Sequence, residues 1–185
     1  MKFPNIDGWM SETDLQFLYE EALKVPEDGV IVELGSWLGR STAAIIMGAK
    51  TRNIFSVDTW QGCGLELLSA KDRAYVLESF RYNMMTFTGF VPTIYNRTTD
   101  EASRNFTRKS IDLLFLDGDH LQPQVYRDLV TWLPKMKDNG IFAGHDWSNP
   151  NVRRAFHSVF SSVKQPELSD GDIWRIDIPS FGRGS

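Results

Sequence analysis

Short apolar runs alternate with amphipathic stretches along most of the chain. Ser11 and Asp14 have the spacing of a capping box, and Leu15, Leu18, Tyr19, Ala22 and Leu23 then recur at helical intervals, which predicts a helix from about Glu12 to Lys24. "GVIVEL" (29–34) is a nearly continuous apolar run, and after a glycine turn "STAAIIMGAK" (41–50) reads as a helix. "NIFSVD" (53–58) is the next strand. Beyond the loop "TWQGCG" (59–64), Val76, Phe80, Met84 and Phe87 mark one face of a helix. "VPTIYN" (91–96) and "IDLLFLD" (111–117) are further strands, separated by the polar "RTTDEASRNFTRK" (97–109), a surface stretch with room for one helical turn. Val125, Leu129, Trp132, Leu133 and Met136 form another helical stripe, with Asn139-Gly140 placed as its C-cap. "IFAGHD" (141–146) is strand-like, and Asn149-Pro150 opens a helix bearing Val152, Phe156, Val159 and Phe160. "DIWRIDI" (172–178) alternates as a strand before the loose "FGRGS" (181–185).

Strands that are apolar on both faces and alternate with helices predict an α/β fold: a Rossmann-like, doubly wound, mostly parallel sheet with helices on both faces. No repeat or linker interrupts the pattern, so residues 1–185 read as a single domain. Sheets of this kind bind ligands at the carboxyl ends of their strands. The polar residues of interest fall there: Glu33 to Ser41, Asp58, Asp117 to His120, and His145 to Asp146.

Composition narrows the classes. Of the 185 residues 42% are apolar and 12% aromatic, ample for a real core. A formal charge of -4, with the basic residues scattered, leaves no footprint for nucleic acid. No apolar run reaches the roughly 20 residues that span a bilayer, and the first residues lack the apolar core of a secretory signal, so a cytoplasmic protein is expected. The one cysteine, Cys63, is read as an ordinary thiol.

The loop "VELGSWLGRS" (32–41) carries the first chemical signal. A phosphate-binding P-loop needs a lysine after its last glycine, where Arg40 stands; a dinucleotide fingerprint needs a glycine at position 37, where Trp37 stands. What remains is ExGxxxGxS, formed by Glu33, Gly35, Gly39 and Ser41, with Asp58 ending the next strand. A carboxylate before the loop suits an ammonium, and one at the second strand end suits a ribose diol. Ammonium and ribose without pyrophosphate describe S-adenosylmethionine (SAM). Taken alone, the two glycines also suit a plain strand-to-helix turn, with Asp58 as a cap. Trp37 is expected to pack beside the site and wall off the methionine end.

"FLDGDH" puts Asp117, Asp119 and His120 directly after one strand, and "AGHDW" puts His145 and Asp146 after the next. Converging carboxylates with an imidazole suit a divalent ion that keeps positions open for substrate, such as magnesium. His120 is then placed to take a proton from a hydroxyl. Taken singly, each of these residues suits a cap or turn better than a catalytic role, and it is their joint position at the strand ends that favours a functional cluster. His157 reads as surface, and Arg153-Arg154 as a solvated face near enough to touch an anionic substrate.

These segments, with "GWMSETD", "IVELGSWLGRST", "FSVDTWQG", "IDLLFLDGDH" and "WLPKMKDNGIFAGHDW" in order, resemble the class I SAM-dependent methyltransferases, specifically the macrocin O-methyltransferase-like branch. The resemblance implies seven strands with the last antiparallel, its hairpin partner lying in "SSVKQPEL" (161–168). It implies that Glu33, Gly35 and Ser36 face the methionine part of SAM, Asp58 its ribose, Trp60 the adenine face, and Thr99 and Asp100 the adenine edge. Asp117 and Asp146 match magnesium carboxylates, with His145 beside them where relatives often carry an acid, and His120 matches the base. The function so implied is O-methylation of a small-molecule hydroxyl on a sugar, polyketide or similar acceptor, with or without magnesium. Alternatives are a SAM- or nucleotide-binding module without transferase activity and a nicotinamide oxidoreductase, against which Trp37 counts. A compact site of this size is either open to solvent or completed by a second copy in a homodimer.

Overall fold

The computed structural model describes residues 1–62, 68–160 and 165–179. Cys63 and the segment "FGRGS" lie outside them. Strands β1 (Ile31–Leu34), β2 (Ile54–Asp58), β3 (Thr93–Asn96), β4 (Ile111–Leu116), β5 (Met136–Gly144), β6 (Glu167–Leu168) and β7 (Trp174–Asp177) form one sheet in the order β3-β2-β1-β4-β5-β7-β6. The first five are mutually parallel, and β7 runs antiparallel to both β5 and β6. The hairpin partner of β7 is therefore the far end of "SSVKQPEL", as the resemblance implies.

Helices α1 (Glu12–Lys24), α2 (Arg40–Gly48) and α3 (Ala70–Thr88) bury their apolar sides in one core; α4 (Thr99–Ser103), α5 (Gln122–Trp132) and α6 (Pro150–Phe160) bury theirs in the other. Successive residues of β1 divide between the two, Ile31 entering the first core and Val32 and Leu34 the second. A strand covered on both faces must be apolar throughout, which is why "GVIVEL" shows no alternation. Among the described residues no helix is long and apolar enough to cross a membrane. Because the chain leaves β1 toward β2 and β3 and returns to β4 on the other side, the strand order reverses between β1 and β4. A crevice opens at such a reversal, outside the carboxyl ends of the two strands.

Two elements depart from the pattern reading. The stripe from Val125 does not run on to Asn139-Gly140: α5 stops at Trp132, a 3-10 turn covers Leu133–Lys135, and Met136 already begins β5. Pro134, which has no N–H to continue the ladder, ends the helix. Asn139 and Gly140 form an irregularity inside β5. Ile111 pairs with Met136 but Leu113 with Ile141, and the extra residues are taken up where Asn139 adopts a φ of 63°. A Cβ on Gly140 would sit 3.0 Å from the Lys137 carbonyl and 3.1 Å from those of Ile111 and Asp112, so the narrowing favours glycine. On α3, Val76, Phe80 and Met84 are buried as expected while Phe87 is 45% exposed.

Candidate functional site

The β1–α2 loop is built around Glu33. Its carboxylate is fully buried and accepts hydrogen bonds from Ser36 Oγ (2.6 Å), Ser41 Oγ (2.7 Å) and Thr42 Oγ1 (2.5 Å). Burial pushes its pKa up to about 7, against the pull of the three hydroxyls. The expectation that Glu33 faces the methionine part is therefore corrected: the residue sits behind the loop and fixes its shape, and Ser36 and Ser41 turn inward to it. One consequence is measurable. The folded chain keeps the Glu33 proton up to about pH 7, whereas the unfolded chain releases it near 4.5. Wild-type stability relative to Glu33→Gln should therefore fall between these pH values, by up to roughly 3 kcal/mol, and level off above 7. Urea melts of both chains from pH 4 to 8 would show this, and a constant difference would mean that Glu33 does not titrate there.

Gly35 has a φ of +88°, and a Cβ on it would lie 1.9 Å from the carbonyl oxygen of Asp117. Only glycine lets the β1 loop close this tightly on the end of β4. Gly39 caps α2 at φ +92°, where a side chain would strike Met84 and Phe80 of α3. Asp58 Oδ2 accepts from the backbone N–H of Ser36 and Trp37, each at 2.9 Å, and Oδ1 from that of Trp60 at 2.7 Å. A carboxylate has about four acceptor sites, so roughly one is left for a ribose hydroxyl. Trp60 is corrected from an adenine-facing ring to a core residue: it is fully buried against Phe80, with its indole N–H on the Trp37 carbonyl. Trp37 adopts a φ of 45°, is half-buried, and lies 6.1 Å from the ring of Trp9.

Across the crevice, Asp117, His120 and Asp146 each bring one ligand-type atom within 4.8 Å of the others. His120 Nε2 donates to Asp146 Oδ2 at 2.6 Å and stands 4.0 Å from Asp117 Oδ1. These two carboxylates hold His120 up to about 10, burial notwithstanding. Asp146 has a φ of 59°, a backbone state that side chains rarely adopt and that is met at functional sites. The two carboxylates and the imidazole, half-open to solvent, are together the residues that could hold a metal ion, the imidazole being a poor ligand for a hard cation such as magnesium. His145, expected among the metal ligands, is instead packed behind them. Its Nδ1 is 3.3 Å from Asp146 Oδ2 and 3.7 Å from Asp117 Oδ1, its Nε2 is 3.8 Å from Asp14 Oδ2, and its side chain is only 9% exposed. Burial opposes its charge, but Asp14, Asp146 and Asp117 push it up to about 10. Against the effect of burial, His120 and His145 in turn hold Asp146 well below the usual carboxylate range.

Asp14 was legible only as a capping acid. Besides closing the box with Ser11, it accepts from the Asp172 N–H at 2.9 Å, so it joins α1, His145 and the approach to β7. Thr99 and Asp100 begin α4 just beyond the end of β3, on the same sheet edge. The Thr99 hydroxyl points inward, donating to buried Asp128, and Asp100 lies 3.9 Å from Arg127. Asp119 accepts from the Leu121 N–H at the entry to α5. Arg153 holds the β5–α6 loop through the carbonyls of Trp147 and Ser148, and His157 is exposed beside Trp147.

A Rossmann-like sheet with a glycine turn at its reversal point gathers acids at the ends of β2, β4 and β5, the edge where sheets of this kind bind ligands. The chain belongs to the family described as Methyltransferase domain, whose pattern it matches over residues 32–147, from β1 to just past β5. It is 28% identical over 120 residues to the uncharacterized protein y4gI of Sinorhizobium fredii; the match takes in 63% of this chain and spans only 13% of that protein's length. Among solved structures, CalS11, a TDP-rhamnose 3'-O-methyltransferase of calicheamicin biosynthesis, superposes with a TM-score of 0.64 at 20% identity, covering 91% of this chain and 77% of its own. A SAM-dependent O-methyltransferase from Thermotoga maritima superposes at 0.65 with 16% identity, covering 96% and 69%. These two share its fold.

Proposed function

We propose that the chain transfers the methyl group of SAM to a hydroxyl of a small molecule. The observation that supports this most is the meeting of Asp117, His120 and Asp146 beside Gly35, where a sulfonium held by the β1 loop would face an acceptor held at the ends of β4 and β5. The sulfonium is already an activated donor, so the chain has to align an oxygen with the methyl group and remove its proton. Glu33 and Asp58 shape and pin the loop that receives the methionine and ribose parts. His120 is the proton acceptor, oriented by its bond to Asp146. A divalent cation bound at Asp117 and Asp146 would neutralise the charges that keep His120 protonated and polarise the acceptor oxygen. The O-methyltransferase activities of the two structural neighbours are in keeping with this reading.

Isothermal titration tests its core. SAM is expected to bind the wild-type chain, and Asp58→Ala, which releases the Ser36, Trp37 and Trp60 N–H groups, should weaken binding by about tenfold or more. No heat from wild type at millimolar SAM, with or without magnesium, would sink the proposal.

A further inference from the structure

Trp9 is 82% exposed, more than any other large apolar side chain among the described residues. Its exposure does not come from a loose backbone. Phe3, Ile6 and Met10 on either side are buried, and the Arg40 guanidinium donates to the carbonyls of Ile6 (2.9 Å) and Met10 (2.8 Å). The ring is thus presented on a fixed segment, tilted by 46° against that of Trp37. Trp37 is itself held at positive φ by the bonds of its N–H to Asp58 and its carbonyl to Trp60.

The pair sits at the β1–α2 loop, where the Trp37 N–H meets Asp58. Trp37 is two residues from Gly35, which touches Asp117, so its backbone lies within about 8 Å of that contact. On the other side, Trp9 leads through the Ser11 cap into Asp14, whose carboxylate is 3.8 Å from His145. The two indoles are thus joined through short stretches of chain to Gly35, beside the Asp117 main-chain carbonyl, and to Asp14, beside His145. They add apolar ring surface and no charge.

We infer that Trp9, set against Trp37, is the acceptor platform: it stacks on the flat face of a ring that carries the hydroxyl to be methylated. This rests on the methyl-transfer reading above. A rigid aromatic face loses little entropy on binding and selects rings over open chains, because only a ring offers a face of matching area. Phenols and pyranosides share that property, and their relative affinities distinguish the two sources.

The test uses the whole chain saturated with S-adenosylhomocysteine and three probes followed by NMR titration: catechol, methyl α-glucopyranoside and, as the acyclic control, propane-1,2-diol. At least one ring probe should bind better than the diol. Trp9→Ala should weaken it by about five- to tenfold, and Trp9→Phe should restore most of the loss. Since Trp9 is solvent-exposed, the melting temperature and the affinity for S-adenosylhomocysteine should not change. Equal ring affinity in wild type and Trp9→Ala, no ring binding to the loaded wild type, or a wild-type dimer that Trp9→Ala dissolves would overturn the inference. Absence of S-adenosylhomocysteine binding by wild type would instead bring down the methyl-transfer reading, and this inference with it.

Discussion

Gly35→Ala is expected to abolish measurable SAM binding and to lower the melting temperature by roughly 6–20 °C, corresponding to about 3–5 kcal/mol in a chain of this size. The added methyl would lie 1.9 Å from the Asp117 carbonyl oxygen, 2.6 Å from its carbon and 3.1 Å from Gly118 Cα. All three are main-chain atoms at the end of a central strand and cannot swing aside as a side-chain tip could. The φ of +88° adds strain that any L side chain would feel. Relief requires the β1 loop to lift from β4, which breaks the hydroxyl cage around Glu33 and the pinning by Asp58. Gly118→Ala is the matched control, because a Cβ there meets nothing within 4 Å. Calorimetry and thermal melts of both variants check the expectation, and a Gly35→Ala chain with wild-type SAM affinity would contradict it.

His120→Ala should lower the rate of methyl transfer by about 10²–10⁴ while changing SAM affinity little. The size follows from the proton-acceptor role proposed for it, and the selectivity from its position at the end of β4, away from the Glu33 and Asp58 anchors of the loop. S-adenosylhomocysteine release, measured with whichever ring probe binds, provides the readout. A non-transferring SAM-binding module predicts no transfer in the wild type and no effect of the substitution. A variant that keeps full activity would remove His120 from the chemistry.

Most of the sheet was legible because a strand buried on both faces has a simple signature, an apolar run bounded by polar turns. "GVIVEL", "NIFSVD" and "IDLLFLD" all fell where β1, β2 and β4 lie. The site followed from the same logic, since polar residues directly after such runs must gather at one edge. What pattern could not reach was direction and depth. Asn139-Gly140 has the chemistry of a helix end, but the same tolerance of positive φ serves an irregular strand, and only pairing with β4 decides between them. Trp60 and Glu33 were placed on the correct loops but facing the wrong way, because burial depends on the neighbours supplied by α2 and α3. The depth of His145, next to Asp146, was out of reach for a related reason. Adjacent residues at a strand end point to opposite sides, and the sequence does not say which side holds the partner carboxylates. Asp14 gave no sign beyond its cap, because its other partners, Asp172 and His145, come from the opposite end of the chain.

That last contact also bears on the order of assembly. The Asp14–Asp172 hydrogen bond spans 158 positions, and β5 gains its second neighbour only when β7 adds to it. Closing so long a loop is entropically slow, so α1 and β1–β5 can condense before Asp172 reaches Asp14. During synthesis from the amino end, Asp14 and His145 are therefore both in place on α1 and β5 before the Asp172 N–H arrives. The last event is then the hairpin closing over a scaffold already in place, with the carboxylate cluster at its edge.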